Sequence, residues 1–314
     1  MKILAALIFA LALAACAPAV TGPELPPAPR LPGMTESHFV TLEGERVYYE
    51  AGGPRDSQFA PVLFIHGIGA GNSSHLWREN TASLAKTRRV YAFDFPGFAR
   101  SGARAMRYTS DLYAGVVEEL LRQVVKAPAA LVGGSLGSDY AIRVAVEHPE
   151  LVKQLLIANP TGYDPSLNFT RNQSKDLETY NLFANTPVGG LTFGVLNSDG
   201  GLNFFLYNYV YLDWRRVTPE VTKLYMDNLV GPNKQYAPFS FFSGFLDQDV
   251  TKLWPQTKQP TLLVWGSDDL FTSVNYAQDF LKARDVPLKI LKARAIPNDE
   301  AFEEFNAIAL GFLK

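Results

Sequence analysis

The chain predicts an α/β domain: a mostly parallel, eight-stranded sheet with helices on both faces. Three observations carry that expectation. Short apolar runs alternate with stretches of helical spacing along most of the 314 residues, which is the pattern of strands buried on both faces by crossover helices. The run Ala129-Ala130-Leu131-Val132 leads directly into Gly133-Gly134-Ser135-Leu136-Gly137, and a helix-forming stretch follows at Ser138. Finally, the rhythm breaks once, between about residues 161 and 258, where an insertion rich in Phe, Tyr and Asn follows the sixth strand.

Taken in order, His38–Leu42 and Arg46–Ala51 read as a hairpin turning at Glu43-Gly44-Glu45. Pro61–Ile65 is a buried strand ending at His66-Gly67-Ile68-Gly69, and a helix is expected over Ser74–Lys86. Val90–Phe93 is the next strand, closed by Asp94-Phe95-Pro96-Gly97, and Asp111–Val125 has helical spacing. The strand at Ala129 and its helix stop at His148-Pro149. Leu155–Ala158, Thr261–Trp265 and Leu288–Leu291 complete the sheet, and Phe302, Phe305, Ile308 and Phe312 mark one face of a closing helix. The insertion, expected to be helical, sits where a lid over the strand ends would lie. Phe204, Phe205, Tyr207, Tyr209, Tyr211 and Trp214 could line an apolar cleft or form the insertion's own core.

The first residues read as an export signal rather than as fold. Lys2 precedes the apolar stretch Ile3–Ala15, too short to span a bilayer. Leu13-Ala14-Ala15-Cys16 resembles the bacterial lipobox, and Cys16 is the only cysteine in the chain. The expected organisation is a signal over residues 1–15, lipidation at Cys16, a proline-rich tether over 16–36, and a domain over 37–314 with its insertion at about 161–258. That makes the protein an exported lipoprotein held on the extracytoplasmic side of a membrane. Net charge is −2 with no basic or acidic block, so nucleic acid is not an expected partner. No H-E-x-x-H, cysteine cluster or phosphate-loop pattern occurs, so neither metal nor organic cofactor is expected.

The elbow at Ser135 has the strand–turn–helix context of a nucleophilic serine. Other motifs stand in matching order: His66-Gly67-Ile68-Gly69 after a strand, Asp94-Phe95-Pro96-Gly97-Phe98-Ala99-Arg100-Ser101, and Trp265-Gly266-Ser267-Asp268-Asp269. With these the chain resembles the α/β-hydrolase family of esterases, lipases and C–C-bond hydrolases, over essentially all of residues 37–314 outside the insertion. Ala99 stands where that family usually has glycine. The resemblance implies Ser135 as nucleophile, Asp269 as triad acid (with Asp268 as its neighbouring alternative), and the backbone N–H groups of Ile68 and Leu136 as an oxyanion hole.

It also implies a histidine after the last strand, and there is none. The four histidines are His38, His66, His75 and His148, all before Asp269. The closing segment reads Arg294-Ala295-Ile296-Pro297-Asn298-Asp299-Glu300, which puts Ala295 in the base position. His66 is expected to be structural, His75 to be solvated, and His148 to be remote at about 20 Å of helix rise. Asp139 would share a helix face with Ser135, and Asp299 and Glu300 read as N-terminal capping of the last helix. Two functions stay open. One is a serine hydrolase, weakened by the missing base, acting on a carboxylic ester or similar acyl or C–C bond of a small apolar molecule. The other is a non-catalytic lipoprotein that binds an apolar ligand at the cell envelope.

Overall fold

The computed structural model describes residue 27 and residues 30–69, 71–163 and 173–314. The signal, the lipobox with Cys16, and most of the tether lie outside the described residues. Eight strands form one sheet: β1 (Met34–Leu42), β2 (Glu45–Gly52), β3 (Val62–Ile65), β4 (Val90–Asp94), β5 (Ala129–Gly134), β6 (Val152–Ala158), β7 (Thr261–Gly266) and β8 (Leu288–Leu291). Their spatial order is β1-β2-β4-β3-β5-β6-β7-β8. The β1–β2 and β2–β4 pairs are antiparallel and all others parallel. The hairpin turn places both Glu43 and Gly44 at positive φ, as a tight two-residue turn between twisted strands requires.

Strand alternation sorts the core into two layers. Leu63, Phe93, Leu131, Leu155, Ile157, Leu263 and Trp265 face one side. There they meet α2 (Ser110–Leu120) and α3 (Leu136–Glu147) through buried residues such as Val116, Tyr140 and Val144. Val62, Phe64, Ala130, Val132, Leu156 and Val264 face the other, against Trp77, Leu84 and the Phe305 and Ala309 face of the closing helix. Both layers are buried, so the central strands read as unbroken apolar runs.

Two expected boundaries shift. A 3-10 turn over Ser74–Trp77 and a short α1 (Thr81–Ala85) replace the single helix expected over 74–86. Asn80 lies between them, buried, its Nδ2 donating to Asn298 O and Asn306 Oδ1. Ordered packing also begins before residue 37. Leu31 and Met34 are buried, and the carboxylate of Glu50 accepts the N–H groups of Arg30 and Leu31.

The insertion between β6 and β7 is helical: α4 (Gln173–Ala184), α5 (Pro187–Leu196), α6 (Asp199–Phe205), α7 (Pro219–Asp227) and α8 (Tyr236–Phe242). It has a small core of its own in which Leu202, Leu206, Val210, Tyr211 and Tyr225 meet Leu76 of the main domain. Beyond it come α9 (Ala277–Ala283), α10 (Pro297–Glu300) and α11 (Phe302–Phe312).

Candidate active site

β5 ends and α3 begins with Ser135 alone between them, at φ 51° and ψ −131°. A non-glycine residue rarely adopts this backbone, and the surroundings must over-determine it. Ser135 N donates to Ala158 O at 2.9 Å, and Ser138 N donates to Ser135 O at 2.8 Å. The flanking glycines are required by contact. A Cβ on Gly137 would stand 2.6 Å from the carbonyl oxygens of Ile65 and His66, and one on Gly133 would stand 2.7 Å from Ser138 Cα.

Ser135 opens into a cavity of about 380 Å³. Ile68, Leu136, Asp269 and Ala295 line the same cavity, so the structure brings together all five positions singled out in the sequence. The remaining walls are mainly apolar: Trp77, Leu196, Leu202, Phe205, Phe241 and Phe242 among them.

The Ile68 loop is held by His66. Its Nδ1 lies 2.7 Å from Gly67 O, and its Nε2 accepts Phe95 N at 3.0 Å, which assigns the proton to Nδ1. Burial lowers the His66 pKa to about 4, against a partly compensating pull from Asp94. The ring is neutral, engaged at both nitrogens, and structural as expected. Beneath it, Asp94 accepts Ser74 N and the Arg100 guanidinium, and Arg100 also pairs with Glu50. Burial alone would raise the Asp94 carboxyl, but the Arg100 charge overrides it and holds the pKa well below the usual range. Ala99 sits in this turn at φ 38°, a left-handed conformation that explains why glycine is the commoner choice there.

Asp269 is 6% exposed and accepts three hydrogen bonds: Asn159 Nδ2 at 2.7 Å, Phe271 N at 2.9 Å and Thr272 Oγ1 at 2.7 Å. Asp268 points outward to Lys292 at 2.7 Å, and of the two neighbouring aspartates only Asp269 lines the cavity. Asn159 was missed in the sequence. At φ 44° it also accepts Gly266 N through Oδ1 and donates to Arg294 O, tying the ends of β6 and β7 to the loop after β8. Its sequence signal was the Asn159-Pro160 pair directly after a strand, a turn-forming dipeptide.

The other histidines are occupied elsewhere. His75 is buried, contrary to the solvated position expected. Its Nδ1 lies 2.9 Å from Ser73 Oγ and 3.0 Å from Asn228 Nδ2, and its ring meets Tyr225 edge-on at 4.4 Å. The insertion covers it, which local sequence could not reveal, and burial pushes its pKa well down. His148 pairs with Glu118 at the far end of α3, and His38 of β1 meets the ring of Tyr49 of β2 at a tilt of 31°. Asp139, one turn after Ser135, is buried and accepts Thr161 N and Oγ1. Burial, reinforced by Asp247 and opposed by the Thr161 and Gly162 hydrogen bonds, pushes its pKa up to about 7. It is not among the residues lining the cavity.

The segment in place of the histidine loop holds the insertion. Ala295 N donates to Val210 O at 3.2 Å. Arg294 Nη1 reaches the carbonyls of Tyr207, Asn208 and Tyr211, at the end of a helical turn where a cation is favoured. Asp299, fully buried, receives Arg78 at 2.8 Å and the Tyr211 hydroxyl at 2.7 Å, while Glu300 accepts Asp213 N and Arg294 N. Neither acid caps α11. Its N-cap is Ala301, with no side-chain cap, because both carboxylates are drawn toward the insertion. The aromatic cluster also divides in an unexpected way: Tyr211 is buried, Phe205 lines the cavity, and Phe204, Tyr207, Tyr209 and Trp214 face solvent.

With a family model for the alpha/beta hydrolase fold matching residues 60–298, the chain belongs to that family. Among its relatives, 2-hydroxy-6-oxo-6-(2'-aminophenyl)hexa-2,4-dienoic acid hydrolase of Metapseudomonas resinovorans is 29% identical over 79% of this chain and 79% of its own length. 2-Hydroxymuconate semialdehyde hydrolase of Pseudomonas sp. (strain CF600) is 36% identical over 32% of this chain and 37% of that relative. Several curated relatives are thus matched over only about a third of their length, 33% and 37% in two cases. The crystal structure of the enol-lactonase from Burkholderia xenovorans LB400 superposes with a TM-score of 0.70 at 20% identity, covering 88% of this chain and 99% of that one, a likeness of fold.

Proposed function

We propose that this protein is a serine-nucleophile member of the family, acting on an ester or a related acyl or C–C bond in an apolar molecule, and working slowly because the base is missing. The observation that carries the reading is the shared cavity: a strained Ser135, the buried Asp269 and the Ile68 and Leu136 backbones all open onto one apolar chamber. In such a site Ser135 Oγ adds to a carbonyl carbon, and the oxyanion forms beside the Ile68 and Leu136 N–H groups. The Ile68 N–H meets no acceptor among the described residues, which leaves it available. Collapse expels the leaving group, and water then releases the acyl fragment. Both halves need a proton acceptor where Ala295 now stands. A hydroxyl without one is a poor nucleophile, and loss of a triad histidine in a serine protease costs on the order of 10⁶ in turnover. The hydrolase relatives support the acyl and C–C chemistry, and the aromatic walls support an apolar substrate.

Ala295 itself favours a second reading, a binding protein that keeps the family's pocket without turnover. Fluorophosphonate labelling separates the two. Slow covalent capture at Ser135 is expected of a site with an oxyanion hole and no base. A folded protein that resists prolonged exposure is a binding protein, and labelling as fast as that of a complete triad means a base lies elsewhere. The expected location, anchored by lipid at Cys16, is tested separately by mass spectrometry of the mature N-terminus. An unmodified terminus downstream of Cys16 would overturn it.

A further inference from the structure

The least explained surface of the molecule is on the insertion. Helix α5 contains no charged residue, and Val188, Leu191 and Val195 form one stripe along it at helical spacing. Leu191 is 72% exposed and Val195 59%. Between Glu178 and Asp213 the only charged residue is Asp199. The stripe continues around the cavity mouth. Leu196, Phe205, Phe242 and Phe271 each line the cavity and are each more than two-fifths exposed. The Phe205 and Phe271 rings lie 5.9 Å apart, closing the rim across two elements. A contiguous apolar patch of this kind, without charges on its own helix, marks an interaction surface rather than ordinary surface scatter.

We infer that this face of the insertion docks onto a lipid bilayer, with α5 lying in the interface plane and the cavity mouth opening into the acyl region. A bilayer matches what the patch offers: an exposed apolar stripe on a helix without charged residues, and exposed Leu and Phe side chains around the mouth of an apolar cavity. The chain outside the structure points the same way. From Cys16 to Pro27, whose carbonyl accepts Ser37 Oγ on the domain, the chain can extend roughly 40 Å at about 3.5 Å per residue. A domain of about 280 residues is of similar diameter. A lipid at Cys16 therefore leaves enough slack to turn the insertion toward the membrane, and too little to take it far away. Docking does not depend on turnover at Ser135; only the delivery of an acyl substrate through this face rests on the proposed function.

The test uses the full processed chain on vesicles of phosphatidylethanolamine and phosphatidylglycerol. In a Leu191→Trp variant, brominated acyl chains should quench the added emission at least twofold more than they quench the wild-type tryptophans, with a blue shift. Amide exchange over residues 187–205 should slow at least fivefold on vesicles, while exchange over 110–125 stays unchanged. The pair Leu191→Glu and Val195→Glu should remain vesicle-bound through the lipid and lose that protection. Emission at position 191 that stays solvent-exposed, or equal protection in the glutamate pair, overturns the inference. Protection that rises with the number of chains per vesicle also overturns it, since that result means the patch is covered by a second copy.

Discussion

The two loops that meet at the cavity do different work: one presents a serine on a strained turn, the other fastens the insertion. At the elbow, Gly133 and Gly137 allow backbone contacts that no side chain would permit, and Ser135, half-buried, is held at φ 51° by hydrogen bonds to both sides. The loop after β8 lines the cavity with Ala295, Ile296 and Asn298, none of which can accept a proton there. Ala295 faces the cavity, while Arg294, Asp299 and Glu300 bind the insertion. The difference shows that the loop after β8 has a structural task that does not depend on moving a proton. Its position between Asp269 and the insertion is maintained by backbone and peripheral side chains, none of which needs an imidazole.

The sharpest way to break this comparison is to remove the anchor. Asp299→Ala leaves Arg78 and the Tyr211 hydroxyl buried without their partner, and it should cost about 3–5 kcal/mol in chemical denaturation. A loss below about 1 kcal/mol would mean that the loop does not hold the insertion. Restoring the missing half comes next. Ala295→His should raise hydrolysis of an activated short-chain ester by at least ~10²-fold, a conservative fraction of what a triad histidine supplies, and adding Ser135→Ala should abolish the gain. In the unchanged protein, added imidazole should raise the rate in a saturable manner that also requires Ser135, because Asp269 is already in place to orient it. A fast wild type indifferent to both changes would contradict the proposed function.

A smaller effect is expected at the elbow. Gly137→Ala forces a methyl group against two strand-end carbonyls and should destabilise by about 1–3 kcal/mol. A neutral result would show that the turn relaxes more readily than its contacts imply. The last effect is in pH. Asp139, on the elbow helix, has its folded pKa raised to about 7. Its stabilising contribution is therefore complete below the ordinary carboxylate value near 3.9 and is lost as pH rises through 7. His66 acts with the opposite sign. Lowered to about 4, it contributes fully above 6.5, and that contribution is lost as pH falls through 4. Comparing wild type with Asp139→Asn between pH 4 and 8 isolates the contribution of Asp139, and the variant should gain about 1–3 kcal/mol relative to wild type as pH rises. A flat difference would mean the carboxylate is better solvated than its burial indicates.

Much of the site was legible because its signals are local. A strand, two glycines and a helix define the Ser135 elbow within nine residues, and the Trp265–Asp269 turn needs only the residues that form it. Even the missing histidine could be read, since none follows Asp269 and the family resemblance, anchored on Pro297, puts Ala295 in its place. What escaped the reading depends on distant chain. His75 is buried because Tyr225 and Asn228, some 150 residues later, lie over it. Asn159 bridges three segments, and only the closeness of β6, β7 and the loop after β8 reveals its role. Asp299 and Glu300 looked like helix capping because the insertion that draws them away is separated from them by most of a hundred residues.

By itself, then, the sequence determined the alternation that buries the sheet on both faces, the tight turn at Ser135, the pair of aspartates after β7 and the absence of a histidine after them. These follow from backbone sterics and hydrophobic periodicity, which act over a few residues. Tertiary structure alone decided which of two adjacent aspartates turns inward, which histidines are buried and engaged, and which helix of the insertion is left with an unpaired apolar face. Those outcomes rest on desolvation and hydrogen-bond partners that come from remote segments, and they exist only once the layers have closed.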